Sequence, residues 1–238
     1  MIADNLQGVI SRISAATARA GRPAGSVRLL AASKTHPPAR IAEAFDAGQR
    51  AFGENYVQEA LEKMDAMAQR LGDKPARSLE WHLIGPLQSN KTRAAAERFD
   101  WVQSIDREKI ARRLSEQRPA ALAPLNVLIE VNLSGEATKS GVGPDEAPAL
   151  ARAVSALPRL RLRGLMAIPA PSPDQARQRD AFRAVRELFE RLRAEGLDLD
   201  TLSMGMSEDM EAAIEEGATM VRIGSAIFGL RETVRSAA

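Results

Sequence analysis

Eight short apolar runs recur along this chain, and a charged, Ala-rich stretch follows almost every one of them. The runs span 28–33, 50–53, 80–84, 100–104, 126–132, 162–167, 200–204 and 219–223. Helix-like stretches lie between them, among them 37–47, 54–70, 106–117, 144–156, 174–195 and 207–216. Such alternation predicts parallel strands buried on both faces, because each strand must cross back through a helix to meet the next. Eight units in 238 residues match an α/β fold of one (β/α)8 TIM barrel, spanning 1–238 as a single domain. An open doubly wound sheet is the alternative, since periodicity does not show closure. Leu6, Val9, Ile10 and Ile13 recur at helical spacing ahead of the first run, so an extra N-terminal helix is expected.

Local signals place several helix ends. Asp106 and Ser207 are N-cap candidates, the latter before Glu208 and Asp209, where the helix dipole favours acids. Gly48, Gly72, Gly196 and Gly217 follow helical stretches as C-cap glycines. The Pro-rich stretch 168–173 reads as a loop after the sixth strand. No Rossmann glycine fingerprint follows the first strand, and no P-loop is present.

Composition narrows the chemistry. With no cysteine, thiolate catalysis, disulfides and sulfur-ligated metals are excluded. His36 and His82 are the two histidines, too few for a multi-histidine metal site. A net charge of +2 and 4% aromatic residues argue against a nucleic-acid partner. No apolar stretch approaches the roughly 20 residues that span a bilayer. The expectation is a soluble, cytoplasmic monomer.

In a barrel, the C-terminal ends of the strands share one mouth. Here those ends carry Lys34, then Gly53-Glu54-Asn55-Tyr56, His82 with Gly85, Ser104, Asn132, Met166, Ser203 to Ser207, and Arg222 with Gly224 and Ser225. Most are polar or small where a strand interior prefers Val or Ile. Lys34 closes the first run just before Thr35-His36-Pro37-Pro38, which leaves its amine at the mouth. The loops after strands seven and eight join glycines and serines to helix starts, the chemistry of a phosphate cup. Arg222 lies two residues before Gly224 and shares its face. A cation there meets either a phosphate or the nitrogen of a bound pyridine. Because arginine holds its proton, a pyridine facing it stays unprotonated and is a poor electron sink. A nucleophilic Lys34 needs a pKa below the usual value of about 10.4, and desolvation with a neighbouring cation acts in that direction. An amine facing a phosphate cup is what pyridoxal 5′-phosphate (PLP) requires.

With these residues in view, the chain resembles the pyridoxal phosphate homeostasis protein family, the YggS/PROSC type, whose barrel is of the alanine-racemase N-terminal kind. The matching motifs are AASKTHP around Lys34, FGENYVQEALEK at 52–63, WHLIGPLQSNK at 81–91, VLIEVNLSGEATKSGV at 127–142, GLMAIP at 164–169 and LSMGMSEDMEAAIEEGATMVRIGSAIFGLR at 202–231. Ala32 and His36 depart from the pattern, and neither removes a group that a cofactor needs. The resemblance implies PLP held as an internal aldimine on Lys34, with Arg222 facing the ring nitrogen. It implies phosphate-cup positions at Ser203, Gly224 and Ser225, with the backbone of Met204 and Gly205 beside them. Asn55, His82 and Met166 fall in motifs that border the cofactor. The implied role is to hold, buffer or deliver PLP in vitamin B6 and amino-acid homeostasis, with PLP-dependent apo-enzymes as recipients and no catalytic residue of its own.

Three other readings compete. A PLP-dependent amino-acid racemase needs an acid/base on each face of the substrate carbon. Lys34 serves one face, but Tyr56 is the single tyrosine, and related racemases take theirs from a second domain. A cofactor-free Schiff-base aldolase leaves the arginine beside the second phosphate-like turn unexplained. A plain interaction module explains none of the strand-end polarity. Two charged features stay open. Arg177, Arg179, Arg183, Arg186, Arg191 and Arg193 alternate with glutamates as a solvated helix face, or as an RNA contact. The polar loop at 134–141 is either a lid whose Lys139 meets an incoming phosphate or a plain flexible connection.

Overall fold

The computed structural model describes residues 1–133 and 140–229. Eight parallel strands form one closed ring in chain order: β1 (Arg28–Ala32), β2 (Ala51–Glu54), β3 (Glu80–Leu83), β4 (Trp101–Ile105), β5 (Leu125–Val131), β6 (Leu160–Ala167), β7 (Thr201–Ser203) and β8 (Met220–Ile223). β8 closes back onto β1, with Leu30 opposite Arg222. The ring is therefore a barrel, and the open-sheet alternative falls. Every strand lies within two residues of its expected place.

The helices are α1 (Ile2–Arg19), α2 (Pro38–Asp46), α3 (Val57–Leu71), α4 (Asp73–Ala76), α5 (Thr92–Arg98), α6 (Glu108–Gln117), α7 (Ala147–Ser155), α8 (Gln175–Ala194), α9 (Met210–Glu215) and α10 (Ser225–Phe228). None among the described residues is long and apolar enough to cross a membrane. α1 precedes the barrel, as its spacing predicts. It buries Ile2, Leu6, Val9 and Ile13 and packs against α2, α9 and α10. Asn5 Nδ2 donates to Ile227 O at 2.9 Å, and Arg12 grips Glu211, so α1 braces the two helices that leave β7 and β8.

Three local expectations change. The caps at Asp106 and Ser207 are not formed. α6 begins at Glu108 with Arg107 at the N-cap, one residue past Asp106, whose carboxylate meets Arg107 instead. α9 begins at Met210 because residues 207–209 turn back, with Asp209 Oδ1 accepting from Met206 N at 2.6 Å. The arginine face of α8 is not simply solvated. Arg179, Arg183 and Arg186 converge on the buried carboxylate of Glu216 at 2.9–3.1 Å and bind α8 to the end of α9. The glycines Gly48, Gly72, Gly196 and Gly217 all end their helices at positive φ, as expected.

The large apolar core lies between strands and helices. The barrel axis is different. Two small apolar groups, Leu30/Ala32/Ala51/Ile84/Met220 and Trp101/Leu128/Met166, share it with the buried polar side chains of His82, Gln103, Ser203 and Arg222. In most such barrels branched aliphatic residues dominate these layers. A polar layer here must satisfy itself by hydrogen bonds or lose stability.

Candidate functional site

A cavity of about 930 Å³ opens at the C-terminal end of the strands. It brings together Lys34, Asn55, Arg222, Gly224 and Ser225 from the expected set, and Asn132. Lys34 and Ser225 come from neighbouring strand ends because β8 pairs with β1. His36, in the turn after Lys34, stacks on Phe228 of α10 at 4.9 Å and ties the two ends together.

His82, Met166, Ser203, Met204 and Gly205 do not line the cavity; they lie buried around and beneath it. Period-two alternation turns them inward without saying at what depth. Met166 packs on Trp101 and Leu128 in the barrel axis. The backbone N–H of Met204 donates to Met220 O at 3.1 Å, so it is already used. Gly205 accepts from Arg222 N at 3.0 Å and has φ +96°, and a Cβ there would meet Ala213 Cβ at 2.6 Å. Only glycine fits that approach. Ser104 is buried away from the lining.

The polar layer below the cavity is one directed chain of hydrogen bonds. Arg222 Nη1 donates to Ser203 Oγ at 2.8 Å, and Ser203 Oγ donates to Gln103 Oε1 at 2.6 Å. Gln103 Nε2 reaches His82 Nδ1 at 2.8 Å, and His82 Nε2 reaches Glu80 Oε1 at 2.6 Å. The carboxylate can only accept, which assigns the imidazole proton to Nε2 and leaves Nδ1 to accept from Gln103. Burial lowers the His82 pKa, with Glu80 opposing, so the ring is neutral and plays a structural part, stacked on Trp101 at 5.1 Å. Arg222 also donates to Ser203 O at 2.7 Å and to Ala167 O at 2.9 Å. Three of the five guanidinium donors are thus fixed from below. Burial pushes its pKa down to about 10, against Asp209 and Glu130, which leaves it charged at neutral pH.

A second buried network fixes the turn that carries Lys34. His36 N donates to Ser33 O at 3.1 Å, and Thr35 between them has φ +67°. A β-branched residue in that region is strained, by about 1–3 kcal/mol. Glu59 Oε1 accepts the Thr35 N–H at 2.7 Å. Lys63 Nζ lies behind, donating to Glu59 at 2.6 Å, to both Glu54 oxygens at 2.9 Å and to Ser33 O at 2.9 Å. Ser33 Oγ donates to Glu54 at 2.6 Å. The strained turn is therefore clamped by a lysine between two glutamates. These residues sit in the stretch 52–63, but only the folded geometry shows their joint task.

Gly85 makes another close approach: a Cβ there would come within 2.4 Å of Asn55 O. Its absence lets the β3 loop press against Asn55 and hold it at the cavity edge.

The anion-binding end is asymmetric. The loop after β7 gives Met206, Ser207, Glu208 and Asp209 to the lining, so it brings two acids. The turn after β8 gives Gly224 and the exposed Ser225, at the start of α10, with no acid. The electrostatics favour a phosphate at the β8 turn. Glu130 of β5 also lines the cavity, and no sequence signal marks it inside its apolar run. Tyr56 is 62% exposed and outside the lining. Lys139 and most of its loop lie outside the described residues.

Comparison with known proteins gives a consistent picture. A family model described as the alanine racemase N-terminal domain matches residues 5–232. The chain is 59% identical over 231 residues to a pyridoxal phosphate homeostasis protein of Pseudomonas aeruginosa, covering 97% of this chain and 96% of that one. It is 57% identical over 231 residues to the protein of the same name in Escherichia coli K12, with 97% of each covered. Among solved structures it is similar to PipY of Synechococcus elongatus with PLP bound, at TM-score 0.81 and 38% identity, covering 96% of this chain and 100% of PipY.

Proposed function

The chain belongs to the pyridoxal phosphate homeostasis protein family, and from that premise we propose that it binds PLP covalently at Lys34 and acts as a carrier in intracellular vitamin B6 and amino-acid homeostasis. The observation that carries this reading is the convergence of Lys34, Arg222, Gly224 and Ser225 on one cavity. The residues fit the cofactor. An amine stands at the rim, a charged arginine stands at the floor, and a glycine-serine helix start next to β1 offers N–H groups to a phosphate.

When bound, PLP supplies an aldehyde that condenses with amines. The remaining roles belong to the chain. The Glu54–Lys63–Glu59 clamp holds the Lys34 turn. The chain from Glu80 to Ser203 holds Arg222 so that its guanidinium cannot swing away. A fixed arginine keeps its proton and would leave a facing ring nitrogen without one, which would restrain carbanion chemistry without hindering amine exchange at Lys34. A racemase needs a second base, and Tyr56 stands outside the cavity. We therefore read the protein as a buffer or donor of PLP to apo-enzymes, not as a catalyst.

The experiment is borohydride reduction of the PLP-loaded protein, followed by peptide mapping. The label is expected on Lys34 and absent from Lys34→Ala; a label confined to other lysines refutes the site. Racemase assays on the same sample test the non-catalytic part, and robust racemisation overturns it. Reconstitution of an apo-enzyme in the presence of a trap for free PLP separates direct delivery from passive buffering. If the trap abolishes all transfer, buffering is the function that remains.

A further inference from the structure

Glu130 is a buried carboxyl with a task that the reading above leaves unassigned. It is 7% exposed, it lines the cavity, and among the described residues its Oε2 has no hydrogen-bond partner. A buried oxygen without a partner is costly and uncommon in a folded protein, so one aimed at a cavity is suited to receive a ligand group. The backbone around it is firmly held. Val142 N donates to Glu130 O at 2.9 Å, and Gly141 comes so close that a Cβ there would meet Glu130 Cγ at 3.2 Å. Gly141 thus backs the side chain, which lines the cavity.

Ring order places β5 across the barrel from β1, so Glu130 stands on the far side of the mouth from Lys34. This inference rests on the proposed cofactor. On the PLP ring, the formyl carbon has the phosphate arm on one side and the hydroxyl on the other. With the formyl carbon at Lys34 and the phosphate at Gly224–Ser225 of the β8 turn, the hydroxyl edge turns away from β8. That direction leads to the far half of the ring, β3 to β5, and Glu130 is the carboxyl that the cavity takes from it.

We propose that Glu130, in its acid form, donates a hydrogen bond to the ring hydroxyl oxygen of bound PLP and makes retention of the cofactor depend on pH. That oxygen carries negative charge when the ring is joined to an amine, so a proton on Glu130 is favourable and a second anion is not. The surroundings suit a proton-holding carboxyl. Burial pushes the Glu130 pKa up to about 7, and Asp106 beyond the end of β4 adds to this, while Arg222 on β8 opposes it. The loop after β7 brings Glu208 and Asp209 to the same cavity, and the β1 turn brings Lys34 and His36 from across it. On β6, the residue paired with Glu130 is Met166, which does not titrate. No other carboxyl in this set lies on β5, and among the described residues Glu130 is the carboxyl with an unpartnered buried oxygen.

The test compares PLP affinity of wild type, Glu130→Gln and Glu130→Ala by titration of the visible absorption band as the pH is raised through about 7. Glutamine keeps a donor at every pH. The wild type is expected to lose roughly tenfold to a hundredfold in affinity over that rise, the scale of a hydrogen bond to a charged group. Glu130→Gln is expected to lose much less than the wild type, and Glu130→Ala is expected to be weak throughout. Infrared or carbon-13 detection of the Glu130 carboxyl in cofactor-free protein supplies a reading independent of binding, and its titration near neutrality is expected. Equal pH slopes in wild type and Glu130→Gln overturn the role of Glu130 while cofactor binding stands. A carboxyl that is fully ionised well below neutrality overturns it as well. Absence of any band at every pH removes the proposed cofactor itself, which is a separate and visible failure.

Discussion

Replacing Lys63 by methionine tests whether the buried clamp stabilises the fold as well as the Lys34 turn. The two side chains have similar length, so the change removes a charge more than a volume. Lys63 is 5% exposed, and the Glu54 carboxylate it contacts is 0% exposed. Removing one partner of a buried ion pair leaves the other charge uncompensated and costs about 3–5 kcal/mol. For a chain of this length that is a fall in melting temperature of about 10 °C. The sign of the pH dependence follows from Glu54. Burial already raises its pKa above the ordinary 4.5, against the pull of Lys63 and Ser33. Without Lys63 it rises further in the folded protein, so the penalty grows as pH climbs through the already raised value that Glu54 has in the folded wild type, and fades below it. Urea denaturation at several pH values reads this directly. The double variant Lys63→Met with Glu54→Gln should recover a substantial part of the loss, since a neutral amide is cheaper to bury. A loss under about 1 kcal/mol at neutral pH, or a double variant no better than the single one, refutes the reasoning.

Three further outcomes follow from the structure. Ser225→Asp places a negative charge at the β8 turn on an exposed position, so PLP affinity should fall with little change in melting temperature, and unchanged affinity at low salt places the phosphate elsewhere. Gly85→Ala puts a methyl within 2.4 Å of Asn55 O and should cost about 1–3 kcal/mol in a denaturation midpoint, with Asn55 displaced. Glu216→Gln removes the carboxylate that joins Arg179, Arg183 and Arg186; these arginines hold the Glu216 pKa low despite burial, so its contribution is full above about 4.5 and is lost in acid, and the effect of the substitution on thermal melts should shrink there and in high salt.

Much of the barrel was legible because each strand is a short apolar run bounded by turn residues, and each run meets a helix of different period. Thr92–Arg98 escaped because a seven-residue helix led by a 3-10 turn leaves too little periodicity to read. At the site, Lys34, Arg222, Gly224 and Ser225 were readable as polar or small residues at strand ends. Depth was not readable. His82, Met166 and Ser203 look like mouth residues from alternation alone, yet the side chains of β3, β6 and β7 meet below the cavity. Glu130 was invisible for the opposite reason: within a valine- and leucine-rich strand it resembles an interruption, and only closure of the ring shows that it faces Lys34. The Glu54, Glu59 and Lys63 clamp needed a distance between β2 and α3 that no spacing encodes. The arginines of α8 looked solvated because helical spacing gives their face but not what packs against it.

The two buried networks divide the demands on a carrier. Below the cavity, the chain from Glu80 to Arg222 uses both ring nitrogens of His82 and both ends of the Gln103 amide, and it resists rearrangement because breaking any of these bonds strands a buried donor or acceptor. At the rim, the turn with Lys34 is held in a strained conformation by contacts from behind, through Glu59 and Lys63. Rigidity below the cavity keeps the arginine in place, and in the proposed reading that would limit electron withdrawal through a facing ring nitrogen. Strain beside the attaching amine acts in the other direction, because a turn that stores energy costs less to move. The carrier proposed above, gripping a reactive aldehyde and giving it up to another amine, would need both properties at once. Placing them on different strands, β3, β4, β7 and β8 for the floor and β1 and β2 for the rim, lets each be set without disturbing the other.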